Sequence, residues 1–240
     1  MRKRERPALV ALERREAVAG WVYLPVYLLL LSIILTYVFH WLGFDLNSEA
    51  MQLHLNVVYG LVNFVVVWLI FRRYLIKSFD NVKKFPLRFV VAVLAGFAVY
   101  YFGSWVTEAL AESLTPGFEN VNDESLGAMG AYGMWELALY AAVLVPVAEE
   151  CLFRGLIFTS LRPKSRFLAY AVTIAFFSFI HVMGYFRLYP PMTLLLCFLQ
   201  YVPASFGLAW ALEYSGSIWA PVAIHTLANT MALIGVALGQ

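Results

Sequence analysis

Residues 18–43, VAGWVYLPVYLLLLSIILTYVFHWLG, run for 26 positions without an Asp, Glu, Lys or Arg. A helix rises ~1.5 Å per residue, so about 20 apolar residues cross the ~30 Å hydrocarbon core of a bilayer. This stretch is long enough to span a membrane. Comparable stretches follow near 53–76, 87–110, 135–160, 167–184, 191–212 and 217–237. Several exceed the minimum, so tilted spans or half-buried ends are expected. Residues 127–161 are too many for one untilted span. An interfacial turn near 127–134, then a helix bent near Pro146, accommodates them. Period-two alternation is absent, which argues against a transmembrane barrel. The expected fold class is all-α, a polytopic transmembrane bundle of about seven to eight helices.

Composition agrees. Apolar residues make up 62% of the 240 and aromatic residues 17%, whereas only 13% are charged. Soluble domains carry about 25% charged residues, and an aqueous exterior would need that polarity. The net charge of +2 says little, but its distribution says more. Under alternating topology, all of the 17 Lys and Arg residues except Arg187 fall on one side. They comprise Arg2, Lys3, Arg4, Arg6, Arg14 and Arg15, then Arg72 to Arg88, then Arg154, Arg162, Lys164 and Arg166. The opposite loops hold Asp45, Glu49, Glu108, Glu112, Glu119, Asp123 and Glu124. The positive-inside rule then places the amino terminus in the cytoplasm and, with seven spans, the carboxyl terminus outside. It also accounts for the basic loops without a nucleic-acid partner, and none is expected.

The first span is longer than a signal-peptide core and ends without a small-residue cleavage site, so a cleaved leader is not expected. Cys151 and Cys197 both lie in apolar spans and form neither a disulfide framework nor a metal motif. There is no internal repeat. The chain reads as one continuous membrane domain: a basic cytoplasmic segment at 1–17, membrane helices over 18–130, and a core at 131–240. Ionisable residues within the spans concentrate in that core, at Glu136, Glu149, Glu150, Arg154, His181 and His225. Each is costly at membrane depth and therefore points to function. Any chemistry is expected after residue 135.

Three clusters carry it. In VAEECLFRG (147–155), Glu150 and Arg154 are four apart and can pair on one helical face. Glu149, rotated about 100° from Glu150, points elsewhere. A desolvated free carboxylate can act as a general base on water. The plainer reading is a structural ion pair, with Arg154 snorkelling to the interface. In FSFIH (177–181), Phe177 and His181 share a face, although a lone histidine often only bonds a neighbouring helix. In SGSIWAPVAIHTLANT (215–230), His225 and Asn229 also share a face and offer two hydrogen-bond donors. Converging donors suit the oxyanion formed during attack on a carbonyl; a polar packing seam is the alternative. Gly216 and Pro221 mark the entry to that helix.

The ordered set EECLFR, FSFIH and HTLAN resembles the CAAX-protease and bacteriocin-processing (CPBP, Abi) family, which includes the type 2 CAAX prenyl endoprotease. The small-residue helix SFGLAWALEYSG and its Gly-Ser-aromatic-Pro lead-in add to the likeness, which covers about residues 135–235. The resemblance implies an intramembrane endopeptidase. Glu149, helped by His181, would activate water, and His225 with Asn229 would stabilise the oxyanion. Glu150, Arg154 and Phe177 would support the site. Spacing by itself does not choose between Glu149 and Glu150 as the base. The resemblance implies no catalytic metal, yet Glu149, His181 and His225 are also a plausible zinc set with room for water. No HExxH helix is present.

The implied substrate is a membrane-associated protein or peptide, either a prenylated CAAX tail or a secreted peptide such as a bacteriocin. Short loops suit a multi-pass protein of a bacterial plasma membrane, with the lipid bilayer as its solvent. Two other classes compete: a non-catalytic membrane scaffold or self-immunity protein, and a proton-coupled transporter. The transporter would show inverted repeats and paired broken helices, and the sequence has neither.

Overall fold

The computed structural model describes residues 7–238. Arg2, Lys3, Arg4 and Arg6, counted above among the cytoplasmic charges, lie outside them. Among the described residues there is no strand, and the chain forms eight helices. They are α1 (Arg14–Trp41), α2 (Glu49–Lys84), α3 (Pro86–Leu114), α4 (Val121–Gly130), α5 (134–161), α6 (Arg166–Met183), α7 (Pro191–Ser215) and α8 (Trp219–Leu238). All but α4 and α5 are long and apolar enough to cross a membrane. This is a multi-pass membrane protein.

Helix α5 has the length of a span but carries Glu136, Glu149, Glu150 and Arg154. It tolerates them because it is the centre of the bundle. Every residue from Pro146 to Phe158 is buried, so this segment has no lipid-facing side. A helix covered on all faces belongs inside a bundle. Its neighbours in the core include Tyr23 and Tyr27 of α1, Phe71 and Tyr74 of α2, Phe177 of α6, Leu208 and Leu212 of α7, and Ile224 of α8. The outer helices show the reverse. Ile33, Ile34 and Tyr37 of α1, and Leu94, Phe102 and Trp105 of α3, are exposed, as lipid-facing side chains are.

Prolines set local irregularities. In α1, π-helical turns at Val26–Leu30 follow Pro25 directly. In α5, the π-helical stretch Leu139–Leu144 precedes Pro146, the position expected to bend the helix. Proline donates no hydrogen bond and crowds the preceding turn, so the ladder re-registers beside it. A further π-helical stretch, Cys151–Phe158, follows the paired glutamates and contains Arg154. Widened turns of this kind are frequent at functional sites.

Three expectations need correction. The basic stretch after the second span is not a loop: α2 continues to Lys84, and α3 starts at Pro86. Lys and Arg are good helix formers in water, so the helix runs on past the apolar stretch. The interfacial element is the short helix α4, with the turn expected over 127–134 confined to residues 131–133 after it. It starts at Val121 because Asn120 caps it, its side chain accepting from the Asn122 amide, with Asp123 and Glu124 in the first turn. Arg154 is no cytoplasmic charge and does not snorkel; it is fully buried.

Polar contacts tie the two ends together separately. At one end, Glu13 accepts from Arg73 (2.9 Å) and Lys77 (2.7 Å), and Glu213 holds Arg162 and Arg166. There the Asn81 side chain donates to the carbonyls of Ala8 and Gly216. Gly216 ends α7 at φ 68°, a left-handed cap that favours glycine. At the other end, Tyr189 donates to Glu124 and Asn120 to Gln200. The basic segments thus gather at one end of the bundle, as alternating topology requires. Near mid-depth, α3 and α7 cross closely: a Cβ on Gly207 would lie 2.8 Å from the Gly96 carbonyl oxygen. Small residues at such crossings let backbones approach where lipid offers no hydrophobic drive.

Candidate active site

The paired glutamates of α5 occupy different environments. Glu150 is fully buried, and its Oε1 accepts from Arg154 Nη1 at 2.9 Å. The same oxygen lies 2.8 Å from His225 Nδ1 on α8. Arg154 also donates to Ser205 Oγ on α7 (2.9 Å) and lies 4.1 Å over the Phe177 ring. Glu150 is therefore held through one oxygen by two partners, and such a buried pair is costly to break.

Glu149 faces the other way, into a cavity of about 1140 Å³. It is 6% exposed. Its Oε1 accepts from Tyr27 Oη of α1 at 3.0 Å, and its Oε2 has no hydrogen-bond partner among the described residues. Glu150 Oε2 likewise has no partner among the described residues, so what sets Glu149 apart is that it lines the cavity and Glu150 does not. The same cavity is lined by His181, His225 and Asn229, whereas Glu150, Arg154 and Phe177 lie behind its wall.

His181 Nδ1 is 2.7 Å from the Phe177 carbonyl. A carbonyl only accepts, so Nδ1 carries the proton and Nε2 keeps its lone pair. The ring is stacked on Tyr201 at 4.0 Å between centroids and lies 4.6 Å from Phe177. Phe177 also meets His225 edge-on at 5.8 Å, so its ring touches both imidazoles and the arginine. Asn229 Nδ2 donates to the Ala141 carbonyl at 2.7 Å and retains a second N–H. Glu136 stands apart: it is exposed in the first turn of α5 and does not line the cavity.

The zinc alternative has a geometric requirement, and the side chains do not meet it. Among the described residues, no three His, Cys, Asp or Glu side chains converge on a point that could hold an ion. Glu149, His181 and His225 share a cavity wall without forming a ligand set.

Residues before 135 also reach the cavity. Tyr27 bonds Glu149 directly, and Tyr59 and Asn63 of α2 and Tyr140 of α5 line the same cavity. Tyr59 in turn donates to the Tyr27 carbonyl. The signal was present as tyrosines and an asparagine inside otherwise apolar spans. Such groups need partners in lipid, but their spacing does not name them.

A buried Glu–Arg–His network thus lies beside a cavity that Glu149 lines. Residues 131–231 match the family model for type II CAAX prenyl endopeptidase Rce1-like proteins. No curated protein and no solved structure matches the chain. At family level the match supports an intramembrane peptidase, and it spans α5 to α8, where the motifs lie.

Proposed function

We propose that the protein is an intramembrane endopeptidase that hydrolyses a peptide bond with water activated by Glu149. The observation that carries this reading is that buried Glu149, and not Glu150, lines the cavity together with His181, His225 and Asn229. Tyr27 holds the other carboxylate oxygen and so fixes the orientation of the base.

The network behind the wall supplies the charge balance. For His225 to donate from Nε2, the Nδ1 contact with Glu150 must hold a proton as well. Arg154⁺, Glu150⁻, His225⁺ and Glu149⁻ then sum to zero, which a buried site requires. In the first step Glu149 takes a proton from water, aligned by the His181 Nε2 lone pair, and the water oxygen bonds to the carbonyl carbon. The carbonyl π electrons move onto oxygen. That oxyanion receives hydrogen bonds from His225 Nε2 and the second N–H of Asn229. When the tetrahedral species collapses, the C–N bond breaks and the proton on Glu149 passes to the leaving amine. The products are a carboxylic acid and an amine, which ionise on release to carboxylate and ammonium, and the enzyme returns to its starting charge. The scheme needs no metal.

The test is cleavage of a membrane-peptide library by detergent-purified protein, read by mass spectrometry with and without a chelator. Cleavage unaffected by chelation is expected. Chelator-sensitive cleavage would make His181 and His225 metal ligands and overturn the mechanism. Folded wild-type protein that cuts nothing, with lipid restored, would favour a scaffold.

A further inference from the structure

The direction in which the cavity runs from Glu149 bears on the substrate. Glu149 lies 15 residues from the start of α5 and 12 from its end, so it is close to mid-depth at about 20 Å from either side. Depth alone therefore favours neither approach. The lining decides. Beyond Glu149 it consists of the outer half of α3 (Tyr100, Tyr101, Ser104, Glu108), residues 118–127 and the last turns of α8. None of the basic loops reaches it. Towards the basic end the way is closed by Leu152, Phe153, Leu156, Ile157 and Phe158, each no more than 1% exposed.

The mouth is also strongly one-signed. Glu108, Glu119, Asp123 and Glu124 line it, and no Lys or Arg does. Among the described residues none of these four carboxylates forms an ion pair. Glu124 accepts only from the neutral Tyr189 hydroxyl. Arg187, exposed on the nearby loop, does not line the cavity. An acidic rim leads inward to the buried, unpartnered Glu149 oxygen, so the charged mouth and the reactive group belong to one space. A low-dielectric cleft lined by one sign of charge raises the local concentration of the opposite sign.

We propose that this cavity takes its substrate from the extracytoplasmic face, opposite the basic loops, and that the substrate presents a cationic peptide segment there. The proposal rests on the peptidase reading and narrows it: a tail approaching from the cytoplasm would meet the closed end of α5. The same chemistry fits a free cationic peptide or the cationic outer flank of a membrane protein.

Two measurements test it, and neither reads catalysis. In intact cells, Glu119→Cys in a Cys151→Ala/Cys197→Ala background is treated with a membrane-impermeant maleimide, with Lys164→Cys as the opposite-end control. Labelling at 119 and not at 164 is expected; the reverse overturns the orientation. For binding, purified protein is titrated with a fluorescent lysine–leucine peptide and its glutamate–leucine counterpart, each free or joined to a transmembrane helix. In at least one presentation the lysine peptide should bind at least about tenfold more tightly at low salt, with the preference lost as salt rises. The form preferred identifies the source. The variant Glu119→Gln/Asp123→Asn/Glu124→Gln should lose the preference. If that variant misfolds, the wild-type salt dependence decides alone. Equal binding of both peptides in both presentations overturns the proposal. Correct labelling and charge-selective binding without cleavage would refute only the peptidase reading. Cleavage without charge preference would refute only this one.

Discussion

Arg154→Met is the most informative single perturbation of the site. It removes a fully buried guanidinium that donates to Glu150 at 2.9 Å and to Ser205 at 2.9 Å, and that covers Phe177 at 4.1 Å. The methionine approximates the apolar stem and leaves Glu150 Oε1 with only the His225 contact among the described residues. Removing one partner of a buried ion pair costs about 3–5 kcal/mol, because the remaining charge stays desolvated. For a chain of this size each kcal/mol moves Tm by roughly 2–4 °C, so the loss should be about 6–20 °C. Replacing both charges, as Glu150→Gln/Arg154→Met, removes the stranded charge and should recover more than half of it. The assay is thermal unfolding of the purified variants in one detergent, followed by size-exclusion fluorescence. A single variant within about 3 °C of wild type would refute the reasoning. So would a double variant less stable than the single, since the penalty would then not come from an unpaired glutamate.

Other outcomes follow from the same geometry. Gly207→Val should separate α3 from α7, because its Cβ would sit 2.8 Å from the Gly96 carbonyl oxygen; expression and Tm should both fall, while Gly127→Ala, with nothing within 4 Å, should be neutral. Tyr27→Phe removes the one donor to Glu149 Oε1 among the described residues and should slow cleavage about tenfold with little change in KM. Asp123, in the interfacial helix, faces the cavity mouth with its surface open but with protein walls around it; that enclosure, and then the Glu108 charge, push its carboxyl up to about 6. A raised carboxyl favours the folded state only while protonated, so its contribution is complete below about 4 and is lost as pH rises through about 6. Asp123→Asn should therefore raise Tm at pH 7.5 and leave it unchanged at pH 3.5, as a pH series of melting curves would read.

The class of fold was legible because lipid imposes two demands, apolar length and charge asymmetry, and both are written linearly in the chain. Runs such as 18–43 and the basic segments around Lys77–Arg88 and Arg162–Arg166 needed no tertiary information. Helix ends were less legible. The termination of α2 at Lys84 depends on water supporting charged turns, and the start of α4 depends on the Asn120 cap. Within the site, the i,i+4 spacing of Glu150 and Arg154 anticipated their contact. The direction of Glu149 was not readable, since two adjacent residues on a helix differ only by which neighbours surround them. That Glu149 meets the cavity and Glu150 meets His225 is set by the packing of α1 and α8 around α5. Tyr27, 122 residues before Glu149, was hidden for the same reason. Its partner belongs to a helix whose placement no local pattern specifies.

The most direct test of the central claim is kcat/KM of Glu149→Gln on whichever library peptide the wild type cuts, measured beside Cys151→Ala. Glu149→Gln keeps the shape of the side chain and its contact with Tyr27 but cannot take a proton from water. A loss of at least about 100-fold with an unchanged Tm is expected, as for removal of a general base, while Cys151→Ala stays near wild type. Cleavage by Glu149→Gln within tenfold of wild type would contradict the account and assign the chemistry to another group.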